Sequence, residues 1–146
     1  MAIFKKQIKV RFAHTDPAGI MFYPRYFGLI NDLIEDWFGE ALGFDFKHLH
    51  LDEKRAVPTA HIEADFTRPS RMHDMLEFSL FVHTLGTSSC TLRITAQCGG
   101  EDRLKATLVI VHMDMKTGKP LPWPADMRSA MTAWLVAKHK TESDPL

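Results

Sequence analysis

Apolar and polar residues along the chain change period several times, and each change marks an element. Ile8, Val10 and Phe12 alternate with Lys9 and Arg11, the period of two that predicts a strand with one buried face. His14-Thr15-Asp16-Pro17-Ala18-Gly19 then reads as a loop, and Pro24 opens a helix. From Tyr26 to Leu42, apolar side chains return at spacings of three and four: Tyr26, Phe27, Ile30, Leu33, Ile34, Trp37, Phe38, Ala41 and Leu42. A face that wide predicts a largely buried helix, ended by Gly43 in a left-handed conformation.

Four more strands are expected downstream. Ile62, Ala64 and Phe66 form one inward set, alternating with His61, Glu63 and Asp65. Leu76, Phe78, Leu80 and Val82 form the next, and Gly86 marks a hairpin before Cys90, Leu92, Ile94, Ala96 and Cys98. Gly99-Gly100 turns the chain into Leu104 to Met113, a run of β-formers that predicts a strand covered on both faces. Beyond Pro120-Leu121-Pro122-Trp123-Pro124, an amphipathic helix is expected over 125–140. The order strand, buried helix, four strands, helix predicts an α+β fold: one antiparallel sheet curled around one long helix, with an extra C-terminal helix.

Length and composition agree with this reading. The 146 residues, 45% hydrophobic and 25% charged, suit one folded domain over 1–146. Eighteen Lys and Arg balance eighteen Asp and Glu, which removes the net field a nucleic-acid binder relies on. No stretch approaches the roughly 20 apolar residues of a membrane span, so a soluble, cytoplasmic protein is expected. Cys90 and Cys98 would lie about 26 Å apart along one strand, beyond disulfide reach, and are expected as reduced thiols.

The loop before the buried helix holds the candidate chemistry. Asp16 places a carboxylate where helix N-terminal amides project, and such amides stabilise a developing oxyanion. The same Asp also suits a simple Asx-turn. His48-Leu49-His50 has the look of a metal-ligand pair but lacks a third ligand, so no metal is expected. No Gly-x-Ser-x-Gly elbow is present.

The run Val10-Arg11-Phe12-Ala13-His14-Thr15-Asp16-Pro17-Ala18-Gly19-Ile20-Met21-Phe22-Tyr23-Pro24-Arg25-Tyr26-Phe27 resembles the signature of the 4-hydroxybenzoyl-CoA thioesterase family of hotdog-fold proteins. Ala60-His61-Ile62-Glu63-Ala64-Asp65-Phe66-Thr67-Arg68-Pro69-Ser70 is similar to that family's second-strand segment. The resemblance implies a hotdog fold and hydrolysis of an aromatic or short-chain acyl-CoA to free acid and CoA. It places Asp16 as nucleophile or general base, with a backbone amide near Tyr23 polarising the thioester carbonyl. Gly19, Phe22, Tyr23, His61, Arg68 and Arg71 follow as substrate-binding candidates, with Trp37 a further acyl contact and Lys119 a further phosphate contact. Coenzyme A belongs to the substrate, so no cofactor is implied, and the family's habit implies a homodimer or homotetramer with sites at the interface.

Two departures from the family pattern bear on the site. His14 stands where many relatives have an acidic residue, and a protonated imidazole there would lower the pKa of Asp16. His73 stands where relatives commonly have Gly, ahead of Asp74. Two alternatives to the thioesterase are a hotdog hydratase or dehydratase and a non-catalytic acyl-CoA binding module, since a fold does not fix a reaction.

Overall fold

The computed structural model describes residues 2–136. Five strands form one antiparallel sheet in the order β1 (Phe4–Lys9), β4 (Met75–Leu85), β5 (Ser89–Cys98), β6 (Glu101–Val111), β3 (Thr59–Phe66). A separate pair joins β2 (Arg55–Ala56) to β7 (Met113–Asp114). Helix α1 (Pro24–Asp36) continues through a wider π-type turn over Trp37–Leu42, and Gly43 closes it at φ 84°, the left-handed cap expected from the sequence.

The α+β expectation holds, and the alternation explains why. Leu76, Phe78, Leu80 and Val82 of β4, Leu92, Ile94 and Ala96 of β5, and Leu104, Ala106, Leu108 and Ile110 of β6 are all buried. They meet Leu29, Ile30, Leu33, Ile34, Trp37 and Phe38 of the helical segment in one core. Each large side chain removed from water there stabilises the fold by about 1.5–3 kcal/mol, before conformational entropy is charged against it.

Four expectations need correction. Phe12 is not an inward strand residue: β1 ends at Lys9, the chain turns through a short 3₁₀ segment at Phe12–His14, and Phe12 is 78% exposed. The turn follows Val10, whose amide donates to the Asp74 carbonyl at 2.8 Å as the last contact of the β1–β4 ladder before the chain leaves the sheet edge. Strand β6 is buried on one face, while Arg103, Lys105, Thr107, Val109 and Val111 on the other are half-buried, because α1 covers only the concave side. Ile62 and Phe66 are 37% and 40% exposed, since β3 is an edge strand. The last helix, α2, spans Ala125–Thr132; Leu135 then bridges Val82 in parallel, and 137–140 of the expected helix lie outside the described residues.

Candidate active site

The loop that carries Asp16 folds around its own backbone. The Asp16 amide donates to the Ile20 carbonyl, the Gly19 amide returns to the Asp16 carbonyl, and the Ala18 amide donates to Asp16 Oδ1, each at 2.9 Å. Gly19 makes the reversal possible at φ +80°, a conformation strained for any L side chain. The Asx-turn is therefore real, and it uses one carboxylate oxygen. Oδ2 makes no hydrogen bond to another described residue.

The start of α1 sorts its amides in a way that matters for an oxyanion. Pro24 has no N–H, Arg25 N–H donates to the Phe22 carbonyl at 2.9 Å, and Tyr26 N–H to the Tyr23 carbonyl at 3.1 Å. Phe22 N–H is used by the His14 carbonyl at 2.9 Å. Among the described residues, the Tyr23 amide is the first-turn donor left without an acceptor.

Asp16, Phe22, Tyr23 and Arg68 line one open cavity of about 410 Å³, together with Ile20, Met21, Tyr26, Phe66, Thr67, Pro69 and Ser70. Its wall is aromatic: Phe66 packs on Tyr23 at 5.6 Å and on Tyr26 at 5.5 Å between ring centroids, and Tyr23 packs edge-on to Phe22 at 5.9 Å. Behind it lies a polar bracket. Arg103 Nη1 donates to Asp74 Oδ2 at 2.8 Å, to Ser70 Oγ at 3.1 Å and to the Pro69 carbonyl at 3.2 Å. Ser70 Oγ in turn bonds the Tyr26 hydroxyl at 2.8 Å. The Arg103 guanidinium, followed by the Arg71 amide, holds the Asp74 carboxyl below the usual carboxylate range. The bracket fixes the floor of the cavity to the sheet.

Of the other residues singled out in the sequence, Gly19, His61, Arg71, Lys119 and Trp37 lie off this lining. Gly19 shapes the loop without facing the cavity, and His61 is exposed on the edge strand, 3.2 Å from Glu63. Arg71 is exposed and contributes its backbone, its amide donating to Asp74 Oδ2 at 2.9 Å, while Arg68 sits 3.5 Å from Glu101. Lys119 is exposed next to Asp114, away from the residues named above, and Trp37 is wholly buried in the core and does not line the cavity.

His14 and Asp16 face different clefts. Its Nδ1 accepts the Arg11 amide at 2.9 Å, and its ring lines a different cleft with Pro24, Arg25, Gly28, Leu29 and Asp32. Burial, then the Arg25 and Arg11 charges, lower its pKa, so it is neutral near pH 7. His73 occupies the position of a glycine with φ +72°. Its amide donates to the Val10 carbonyl at 2.6 Å, which holds the left-handed turn in place. His48 and His50 do not form a metal pair: His48 bonds Asp52 and Glu53, His50 bonds the Phe46 carbonyl, and no group of three ligands is present among the described residues.

Tyr26, Ser70 and Arg103 carry the site without having been visible in the sequence. Tyr26 sits in the apolar stripe and reads as core, and Arg103 meets Asp74 across 29 residues of chain, which no local pattern reveals.

A five-stranded antiparallel sheet curled on one long helix, with a carboxylate loop at the helix start, defines a hotdog-fold protein of the thioesterase kind. The profile of the Thioesterase-like superfamily matches residues 10–131, and the chain belongs to that superfamily. The 1,4-dihydroxy-2-naphthoyl-CoA hydrolase of Acaryochloris marina is 28% identical over 88% of this chain and 95% of its own length. That of Synechococcus elongatus is 26% identical over 84% and 91%. Among solved structures, the 1,4-dihydroxy-2-naphthoyl-CoA thioesterase of Synechocystis superposes with a TM-score of 0.82 at 18% identity, covering 90% of this chain and 96% of that one. A gentisyl-coenzyme A thioesterase gives 0.80 at 24%, covering 88% and 99%. At these identities the structural likeness speaks for the fold. The family resemblance seen in the sequence therefore holds at the superfamily level, and the relatives named here are naphthoyl-CoA hydrolases rather than 4-hydroxybenzoyl-CoA thioesterases. No helix among the described residues is long and apolar enough to cross a membrane.

Proposed function

We propose that this protein hydrolyses an aromatic acyl-CoA thioester, with Asp16 as the reacting carboxylate and the Tyr23 amide as an oxyanion donor. The observation that carries the reading is that Asp16 shares one aromatic cavity with Tyr23, and that neither Asp16 Oδ2 nor the Tyr23 amide has a hydrogen-bond partner among the described residues. The names of the curated relatives support a fused-ring acyl group over the single ring of 4-hydroxybenzoyl-CoA. A volume of about 410 Å³ falls within the usual size range of small-molecule sites.

Two routes use this arrangement. As nucleophile, Asp16 Oδ2 bonds to the thioester carbon, the C–S bond breaks, and CoA leaves as a thiolate that takes up a proton; water then splits the mixed anhydride and restores the carboxylate. As general base, Oδ2 takes a proton from a water that attacks the same carbon. In both, negative charge builds on the carbonyl oxygen and the Tyr23 N–H stabilises it. Single turnover in ¹⁸O water separates them, because only the nucleophile route leaves label in the Asp16 side chain once the anhydride is opened at the aspartyl carbon.

Strand β3 presents an unpaired backbone edge, with Ile62 and Phe66 exposed beside it. Pairing two such edges removes both liabilities, so the working unit is proposed as a homodimer or a dimer of dimers. The free thiols of Cys90 and Cys98 fit a reducing compartment and support the proposal of a cytoplasmic enzyme. The direct test is thiol release from a panel of naphthoyl-, benzoyl- and short aliphatic acyl-CoAs. Faster turnover of the aromatic esters is expected. Release from the aliphatic esters alone would overturn the aromatic assignment, and release from none would overturn hydrolysis.

A further inference from the structure

The hydrogen bonds of the polar bracket can be counted atom by atom, and the count leaves a donor over. Arg103 is a cation with donors only, so Ser70 Oγ accepts from it at 3.1 Å. Tyr26 and Ser70 bring two hydroxyl hydrogens, and the 2.8 Å contact between them uses one. If Tyr26 donates to Ser70, the Ser70 O–H is left over; if Ser70 donates to Tyr26, the Tyr26 O–H is left over. Neither hydroxyl donates to any other acceptor among the described residues. Tyr26 is 3% exposed and Ser70 1%, and both line the aromatic cavity. A buried donor without an acceptor is costly in an empty site and selective in a filled one.

Resting on the thioesterase reading above, we propose that the Tyr26–Ser70 hydroxyl pair is a specificity element that donates its spare hydrogen to an oxygen substituent on the aromatic ring of the acyl group. Arg103 and Asp74 act as positioning residues: Arg103, held by Asp74, donates to Ser70 Oγ and offers no acceptor for the spare hydrogen. The rings of Phe66 and Phe78, at 5.5 and 6.4 Å from that of Tyr26, fix where the phenol can sit. Burial holds the phenol above its ordinary pKa, so it stays a donor throughout the working range.

The test compares matched esters, 1-hydroxy-2-naphthoyl-CoA against 2-naphthoyl-CoA, in wild type, Tyr26→Phe, Ser70→Ala and the double variant Tyr26→Phe/Ser70→Ala. The readout is the ratio of kcat/KM for the hydroxylated over the unsubstituted ester. Wild type should favour the hydroxylated ester; the double variant, which has no hydroxyl hydrogen left, should lower the ratio by about 5- to 10-fold, the scale of one hydrogen bond between neutral groups, while each single variant still has one hydrogen to donate and should stay within about twofold of wild type. A purely structural role would lower both esters alike and leave the ratio where it was, which overturns the inference while hydrolysis stands. Loss of the ratio in only one of the single variants assigns the donor to that hydroxyl alone and overturns the paired donor. If wild type releases thiol from neither ester, the thioesterase reading itself fails and this inference goes with it. Tyr26→Phe keeps the ring that packs on Phe66, and its melting temperature is measured alongside to separate misfolding from lost recognition.

Discussion

Replacing Arg103 with Met tests whether the bracket behind the cavity stabilises the fold as the geometry implies. Met keeps an unbranched apolar stem and removes the guanidinium. The wild-type side chain is 11% exposed, against 28% for Asp74 and 45% for Glu101. The Glu101 contact is solvated enough to contribute at most about 1 kcal/mol. The Asp74 contact is a charge-assisted hydrogen bond between partly buried groups, on the order of 1.5–3 kcal/mol. Ser70 keeps Tyr26 as a partner and Asp74 keeps the Arg71 amide, so the full 3–5 kcal/mol of orphaning a buried charge does not apply. The expected loss is about 2–3 kcal/mol, which at roughly 2 cal/mol/K per residue of unfolding entropy lowers Tm by about 7–10 °C for a chain of this size.

The pH dependence sharpens that test. The folded Asp74 carboxyl lies below its ordinary value, chiefly through Arg103. Its contribution is therefore complete above the unfolded carboxylate pKa of about 3.9 and is lost as pH falls through the lower folded value. Differential scanning calorimetry should show wild type and Arg103→Met far apart at pH 7 and converging below about pH 4. A variant within about 2 °C of wild type at pH 7, or a gap that persists unchanged to pH 3, would refute the reasoning. Asp74→Asn completes a double-mutant cycle, where a coupling of at least about 1 kcal/mol is expected.

Two further outcomes follow from strained or buried histidines. His73→Gly removes a left-handed side chain worth about 1–2 kcal/mol and adds back about 0.5–1 kcal/mol of unfolded-state entropy, so Tm should rise by about 2–3 °C; a fall would show that the imidazole has a role of its own. His112 is fully buried on Trp123 with Nδ1 donating to the Leu121 and Pro122 carbonyls at 3.1 and 3.2 Å, and burial keeps its pKa below the ordinary value. The unfolded chain takes up a proton below about pH 6.5 that the folded His112 refuses, so wild-type stability should drop more steeply from pH 7 to 5 than that of His112→Asn. Equal slopes in urea titrations across that range would contradict it.

The elements that could be read from the sequence are those whose signal is local. The inward set Leu76, Phe78, Leu80 and Val82, the helix stripe from Ile30 to Leu42 and the Gly43 cap all rest on periods or φ preferences contained in a few residues. Phe12 failed because a period of two cannot say when a strand leaves the sheet; the ladder to the segment before β4 ends at Val10, and the chain then turns through Phe12–His14. Trp37 failed because an aromatic in a helix stripe looks alike whether it faces the core or a ligand. At the site, the Asp16 loop and the aromatic pair Phe22 and Tyr23 were visible as motif. The bracket was not, because Tyr26, Ser70, Asp74 and Arg103 become neighbours only when α1, β4 and β6 close on one another. The departure at His73 was visible as an odd residue, and the structure gives it a physical meaning as a strained substitute for glycine.

The central claim is that Asp16 performs hydrolysis in the aromatic cavity. Wild type and Asp16→Asn, matched for melting temperature, should be compared for thiol release from 1-hydroxy-2-naphthoyl-CoA. Asparagine preserves an Oδ1 acceptor for the Ala18 amide, so the turn survives while the carboxylate is gone. The account predicts release by wild type and a loss of kcat by roughly a hundredfold or more in the variant. A variant with correct melting behaviour and kcat within about threefold of wild type would contradict it, because Asp16 would then serve only its turn.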